Sequence, residues 1–247
     1  PSFGLTPLEA VLSPPPPLDT LGGYARSVED VALLVSVLAG VRLAAPGSRM
    51  SGRPLKLAFI RTAAWTDADA AMREAFETFA KTHDDFVEDI DLPDAFAAAA
   101  SLQRKVQFRD IAQNYGPLTA ANPNAVSDKL KEVIAEGRTV RDDEYAEALA
   151  LRDPLRGAIA PIFERFEAIL TPAAPGVAPL GLTSTGSPMF NFLWTYLGLP
   201  AISLPLMEVE GLPLGVQLVG RDGGDGSLLN LAHGLMALVS TSQPRIA

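Results

Sequence analysis

Asn191, Trp194 and Thr195 are the side chains whose types and spacing best fit a binding role in this sequence. They stand at i, i+3 and i+4, which on a helix puts a carboxamide, an indole N–H and a hydroxyl on one face. The stretch from Phe190 to Leu206 around them is apolar and reads as a buried helix, a tight Gly198-Leu199-Pro200 break and a strand. Polar groups on a buried helix either satisfy one another or face a pocket, because buried donors and acceptors find partners. Spacing alone leaves both open.

The other candidate chemistries are weaker. The chain has no cysteine, which excludes disulfides, thiolate nucleophiles and cysteine-ligated metals. Its two histidines, His83 and His233, have no partner at metal-ligand spacing, and no serine sits in a GxSxG elbow. Both histidines therefore read as structural, although a triad assembled in space around His233 is a rival that would predict turnover by this chain alone. Gly220 to Gly226 lies between a strand and a helix but matches neither GxGxxG nor a P-loop, and its two aspartates would repel a phosphate. It reads as a plain turn with Asp225 near the helix start. Asp84-Asp85, Glu88-Asp89 and Asp142-Asp143-Glu144 read as solvated faces or first-turn helix acids. No metal and no cofactor is expected.

The elements that must position these residues follow an α/β rhythm. Ser27-Val28-Glu29-Asp30 offers an N-cap with first-turn acids, Val31 to Leu38 continues as an almost wholly apolar helix, and Gly40 ends it. Such a helix is expected to be buried on nearly every side. Leu55 to Ile60 reads as a parallel, central strand, and Thr66 to Ala80 as an amphipathic helix with Ala71, Ala75, Phe76 and Phe79 on one face. Phe86 to Leu92 reads as the next strand. Residues 93–166 form a cap-like helical block, with helices over 95–114, 125–136 and 142–166. Gly116-Pro117 and Asn122-Pro123 should break the first helix from the second, and Asp153-Pro154 and Pro161 should kink or split the last. Ala168-Ile169-Leu170 returns to strand. Gly181 to Pro188 is a loop of the kind that lines sites, and Pro14 to Pro17 favours extended polyproline geometry.

Bulk properties narrow the class. A chain of 247 residues holds one large domain or two modest ones, and 48% hydrophobic with 20% charged residues is ordinary for a globular protein. A net charge of −9 without a basic cluster argues against nucleic acid and against anionic membrane as partners. No window of roughly 18 uninterrupted apolar residues suggests a membrane span. The absence of cysteine and of a signal-peptide pattern fits a cytoplasmic location. The sequence opens on Pro1 rather than Met, so a start upstream is one expectation.

Several blocks, in order, resemble one family. These are Pro1-Ser2-Phe3-Gly4, Leu18-Asp19-Thr20-Leu21-Gly22-Gly23-Tyr24-Ala25-Arg26-Ser27-Val28-Glu29-Asp30, Ile169-Leu170-Thr171-Pro172-Ala173-Ala174-Pro175, Phe190-Asn191, Gly198 to Pro205, and Gly211 to Gly220. Together they resemble the C-terminal part of the amidase-signature enzymes. The resemblance implies an α/β fold with a mixed sheet flanked by helices, and makes residues 1–247 the C-terminal portion of a single amidase domain. It implies hydrolysis of a carboxamide C–N bond to carboxylate and ammonia or amine, by a Ser–Ser–Lys triad that lies N-terminal to the matching blocks. No catalytic residue therefore maps onto this chain, and little hydrolysis is expected of it alone. What it would supply is sheet completion and the acyl-pocket wall, which marks Phe190, Asn191, Trp194 and Thr195 as substrate-binding. Arg26 and Asp30 are expected to form a structural ion pair. The expected partners are a small-molecule amide, once the N-terminal half is present, and either a second copy or the missing half. The alternative is a vestigial, non-catalytic scaffold that pairs with another chain.

Overall fold

A computed structural model describes residues 1–9, 11, 18–43 and 54–242, so the expected polyproline run at Pro14 to Pro17 lies outside the described residues. The helices are α1 (Val28–Ala39), α2 (Ala70–Thr82), α3 (Ala99–Ala121), α4 (Asp128–Gly137), α5 (Asp142–Ala150), α6 (Arg152–Ile159), α7 (Ile162–Arg165), α8 (Phe192–Leu197) and α9 (Asp225–Ser242). The strands are β1 (Leu57–Phe59), β2 (Val87–Asp89), β3 (Ala168–Pro172), β4 (Ala201–Val209) and β5 (Leu212–Val219). They form one mixed sheet in the order β2-β1-β3-β5-β4. β1 runs parallel to β2 and β3, and β5 runs antiparallel to β3 and β4. This is the α/β mixed sheet expected from the sequence.

Strand alternation divides the core into two layers. Leu57, Phe59, Leu170, Val216, Leu218 and Leu204 face α2 and α9, where Met72, Phe76, Leu231 and Leu235 are buried. Ala58, Ile60, Ile169 and Val219 face the other way, onto Val106 of α3, Ala148 of α5, Ile159 of α6 and Trp194, Tyr196 and Leu197 of α8. β3 is buried along its whole length, and its sequence is apolar apart from the buried Thr171. β4 and β5 join through a two-residue hairpin in which Glu210 and Gly211 both have positive φ, the type I′ geometry that fits strand twist. Pro205 falls where the β4 register shifts, a position an edge strand tolerates.

Three local expectations are corrected. Helix α1 has the expected caps, with the Ser27 hydroxyl accepting from Asp30 N–H and Gly40 in the left-handed region. It is not buried all round, however: only Val28, Ala32 and Val35 are, while Leu33 is 66% and Val37 72% exposed. One side packs on α9 and the other meets solvent. Helix α3 runs through Gly116-Pro117 instead of breaking there. Pro117 lies close to the C-terminal end, so one hydrogen bond is lost near a fraying end, and buried Gly116 lets the Arg138 guanidinium approach. Arg26 and Asp30 make no ion pair among the described residues, and Arg26 instead faces a groove. Residues 142–166 do split, into α5, α6 and α7, with Pro154 in the first turn of α6 and Pro161 capping α7.

Candidate functional site

An open groove of about 620 Å³ runs along the edge of β4, the end strand of the sheet among the described residues, bounded by α1 and α9. Because it follows a sheet edge, it meets side chains from both faces of β4. Ile202 and Leu204 lie on one face and Ser203 on the other. Pro200, Val28, Val31, Leu228, Leu229 and Met236 make its walls apolar, and Asn191, Gln217, Ser203, Arg26 and Asp225 supply its polar groups. An apolar cleft with few convergent polar groups is the usual form of a small-molecule site.

The local sequence explains this placement. Residues 189–191 form a single 3-10 turn, and α8 begins at Phe192. Gly198 closes α8 in the left-handed region, and its N–H bonds back to Thr195 and Trp194 carbonyls. A Cβ there would lie 2.5 Å from Arg152 Nη2 and 2.9 Å from Phe3 Cβ, so the break is glycine-specific on two counts. The chain then enters β4 directly, which brings Asn191 and Ser203 to the same rim.

Of the four residues marked for substrate binding, Asn191 lines the groove and the other three do not. The 3-10 turn removes Asn191 from the helical face it was expected to share with Trp194 and Thr195. Phe190 is fully buried among the residues facing α9. Trp194, 2% exposed, packs on the opposite side of the sheet, and its indole Nε1 has no hydrogen-bond partner among the described residues. Thr195 is half-buried behind it. None of residues 181–188 lines the groove either: the loop stands out in solvent, with Leu180 and Leu182 fully exposed.

Two site residues were missed from sequence. Gln217 on β5 is 5% exposed, and its Nε2 donates to Asn191 Oδ1 at 2.6 Å, while Asn191 Nδ2 donates to the Ala173 carbonyl at 3.3 Å. The signal was present: one glutamine interrupts the apolar run Val216 to Val219. Asp225 does open α9 as expected, but it also clasps the chain start. Its two oxygens accept from Ser2 N–H at 2.8 Å and from the Ser2 hydroxyl at 2.5 Å, and that hydroxyl accepts from Gly223 N–H. No sequence spacing links residues 2 and 225.

The remaining titratable groups hold structure. His83 caps α2 between the rings of Phe79 and Phe86. His233 meets Glu29 on the outer surface. Glu88 and Asp89 pair with Arg165 and Arg61. Tyr196 donates to the Ala148 carbonyl, and burial raises its phenol above the ordinary value. Among the described residues, no group of three acidic or histidine side chains is placed to hold a metal. No described helix is long and apolar enough to cross a membrane.

The amidase family profile matches residues 1–229. The chain belongs to the amidase family. It is 24% identical over 281 residues to a fatty acid amide hydrolase of Medicago truncatula, covering 99% of this chain and 46% of that protein. It is 26% identical over 285 residues to a glutamyl-tRNA(Gln) amidotransferase subunit from Clostridium botulinum, covering 94% of this chain and 57% of that protein. A crystal structure of an amidase matches with a TM-score of 0.81 at 25% identity, covering 96% of this chain and 57% of the other. The chain thus spans about half the length of the relatives it matches, and it carries their α/β mixed-sheet fold.

Proposed function

We propose that this chain forms the acyl-side wall of an amidase site that hydrolyses a carboxamide C–N bond to carboxylate and ammonia or amine. The observation that carries this reading is the groove itself. It is apolar, holds the Asn191–Gln217 amide pair, and opens along β4, the end strand of the sheet. Asn191 is the polar substrate contact, with Phe190, Trp194 and Thr195 supporting its turn from the packed interior.

The same groove is short of catalytic parts. Its walls carry no lysine and no histidine, and both oxygens of the Asp225 carboxylate accept from Ser2 and not from Ser27 or Ser203. On this reading the nucleophile, its base and the oxyanion donors come from residues outside this chain. An open strand edge beside an apolar groove favours such association, because unpaired backbone and apolar surface are both stabilised by a partner.

The test is to isolate the protein from its native cells without added protease and follow amide hydrolysis by ammonia release. Activity is expected to travel with a species heavier than the 26.1 kDa of this chain. Turnover by the isolated 26.1 kDa chain would overturn the proposal. A heavier but inactive complex would favour the scaffold alternative.

A further inference from the structure

We propose that residues 178–188 form a lid that closes over the groove when ligand binds, so that Leu180 and Leu182 become the outer wall of a site for long apolar acyl chains. The proposal rests on the reading of the groove as the acyl side of an amidase site, and concerns which acyl groups that site takes.

The loop stands on the rim of the groove. It leaves β3 through Ala173 and returns through Asn191, and both residues line the groove. Asn191 Nδ2 donates to the Ala173 carbonyl at 3.3 Å, which holds the two feet together. Just beyond the feet, Val177 and Met189 are partly buried against the core, and Asp69 N–H donates to the Pro175 carbonyl at 2.8 Å. Past these anchors the chain is untied. Residues 178–188 are all exposed. Among the described residues, 178–187 make one hydrogen bond, from Gly186 N–H to the Ser184 hydroxyl within the loop itself at 3.1 Å. Gly181 and Gly186 lie in the left-handed region, with φ of 89° and 84°, and give the segment two points of rotation. A stretch with so few contacts moves at little cost in free energy.

Leu180 and Leu182 are 102% and 103% exposed, so neither packs on anything while the loop stands out in solvent. Turn chemistry does not call for them, because the glycines and serines of 181–187 supply it. Leu182 lies five residues from Val177, so an extended chain carries it about 17 Å from that anchor, far enough to pass over the rim. What lies at the feet is the groove, walled by Pro200, Ile202, Leu204 and Met236 and open on its outer side. A short acyl group would leave that side wet. A long one fills the groove and gives both leucines an apolar surface to cover, and small-molecule sites enclose most of their ligand in this way.

The test compares octanamide with acetamide on the ¹⁵N-labelled chain, following the backbone amides of Ala201 to Leu204. Octanamide is expected to bind the more tightly. Leu180→Ser with Leu182→Ser is expected to weaken octanamide about tenfold or more, the size of one leucine burial lost, and to leave acetamide unchanged. The melting temperature should hold, because both side chains are already fully exposed. Closure is read separately. The chain has no cysteine, so Thr183→Cys carries a single nitroxide label, and octanamide should increase its paramagnetic broadening of the β4 amides. Three results overturn the proposal: octanamide binding no better than acetamide, octanamide affinity untouched by the leucine substitutions, or broadening that octanamide does not increase. The second is also the result expected if the leucines dock on residues outside this chain. Hydrolysis is followed on the heavier species alone. Its absence there with the leucine effect intact sinks the amidase reading and leaves the lid, and hydrolysis there without a leucine effect sinks the lid alone.

Discussion

His233 Nδ1 on α9 lies 2.5 Å from Glu29 Oε1 on α1, an ion pair whenever the imidazole is protonated. It ties together the two helices that bound the groove, and it sits on their outer surface with both side chains more than a third exposed. The histidine that could have anchored a serine triad is therefore engaged in a surface contact.

His233→Ala should cost under about 1 kcal/mol of stability, as exposed ion pairs do, and should leave any hydrolysis unchanged. Glu29 also has a pH signature. Hydrogen bonding by its own backbone N–H, then by Ser27 and with the His233 charge, holds its carboxyl below the ordinary 4.5. A lowered carboxyl contributes stability that is present above its unfolded value and is lost as pH falls through the folded one. The melting-temperature gap between the parent and Glu29→Gln should accordingly close on acidification below about pH 4.5. A gap that widens there would contradict this.

Asp110 and Tyr145 make the second titrating pair, inside the helical block. The Tyr145 hydroxyl donates to Asp110 Oδ1 at 2.8 Å, Asp110 is 6% exposed, and its Oδ2 has no hydrogen-bond partner among the described residues. Burial pushes the Asp110 carboxyl up, and burial together with the bond to Asp110 pushes the Tyr145 phenol up to about 12. Both values are raised, so each group contributes stability below its unfolded value that is lost as pH rises through its folded value. Near neutral pH the buried Asp110 charge is thus a cost. Asp110→Asn keeps an acceptor for Tyr145 and should raise the melting temperature by about 2–4 °C at pH 7, equivalent to about 1 kcal/mol for a chain of this size. Spectrophotometric titration should show one phenol ionising near 12, lost in Tyr145→Phe. A destabilised Asp110→Asn would show that the attraction of the neighbouring Arg109 guanidinium outweighs the cost of burial.

How far the sequence could reach is clearest at the groove. Apolar patterning marked β1, α2, β2 and β3, and Ser27 and Gly40 marked the ends of α1, because those signals are local. The family resemblance implied the mixed sheet. Exposure of Leu33 and Val37 was hidden, since an apolar helix looks the same in sequence whether or not a second layer covers it. The 3-10 turn at 189–191 was equally hidden, because helix and 3-10 spacing diverge only by a residue over so short a stretch. Gln217 and Asp225 became visible only when strands and helix met, for their partners lie 26 and 223 residues away.

Trp194 tests whether a buried residue near the groove serves packing or binding. It is enclosed by the core layer formed by α3, α5, α6 and α8 and does not reach the groove. Trp194→Phe removes an unpartnered indole N–H with little loss of volume, and should cost under about 1.5 kcal/mol. Trp194→Ala should cost about 3–5 kcal/mol by cavity formation. Denaturant unfolding reads both. Ligand affinity in Trp194→Phe should stay within twofold of the parent, about 0.4 kcal/mol, and a larger drop would assign the indole to the site after all.

The exposed face of α1 predicts association. Leu33, Leu34, Val37 and, just beyond the helix, Val41 present apolar side chains to solvent beside a groove that is itself apolar. A contiguous patch of this kind is stabilised by burial against another surface, at about 25 cal/mol for each Å² removed from water. Sedimentation of the purified chain should therefore show reversible, concentration-dependent association. Leu33→Glu with Val37→Glu should abolish it while moving the melting temperature by little, because both side chains are already mostly exposed and surface substitutions usually change stability by under about 0.5 kcal/mol. Glutamate suits helix interiors, so the backbone gives no reason for loss of fold. A chain that stays monomeric at high concentration would remove the association argument. Association that survives both substitutions would move the contact to the open edge of β4, where Ala201→Pro would test it by disturbing that edge alone.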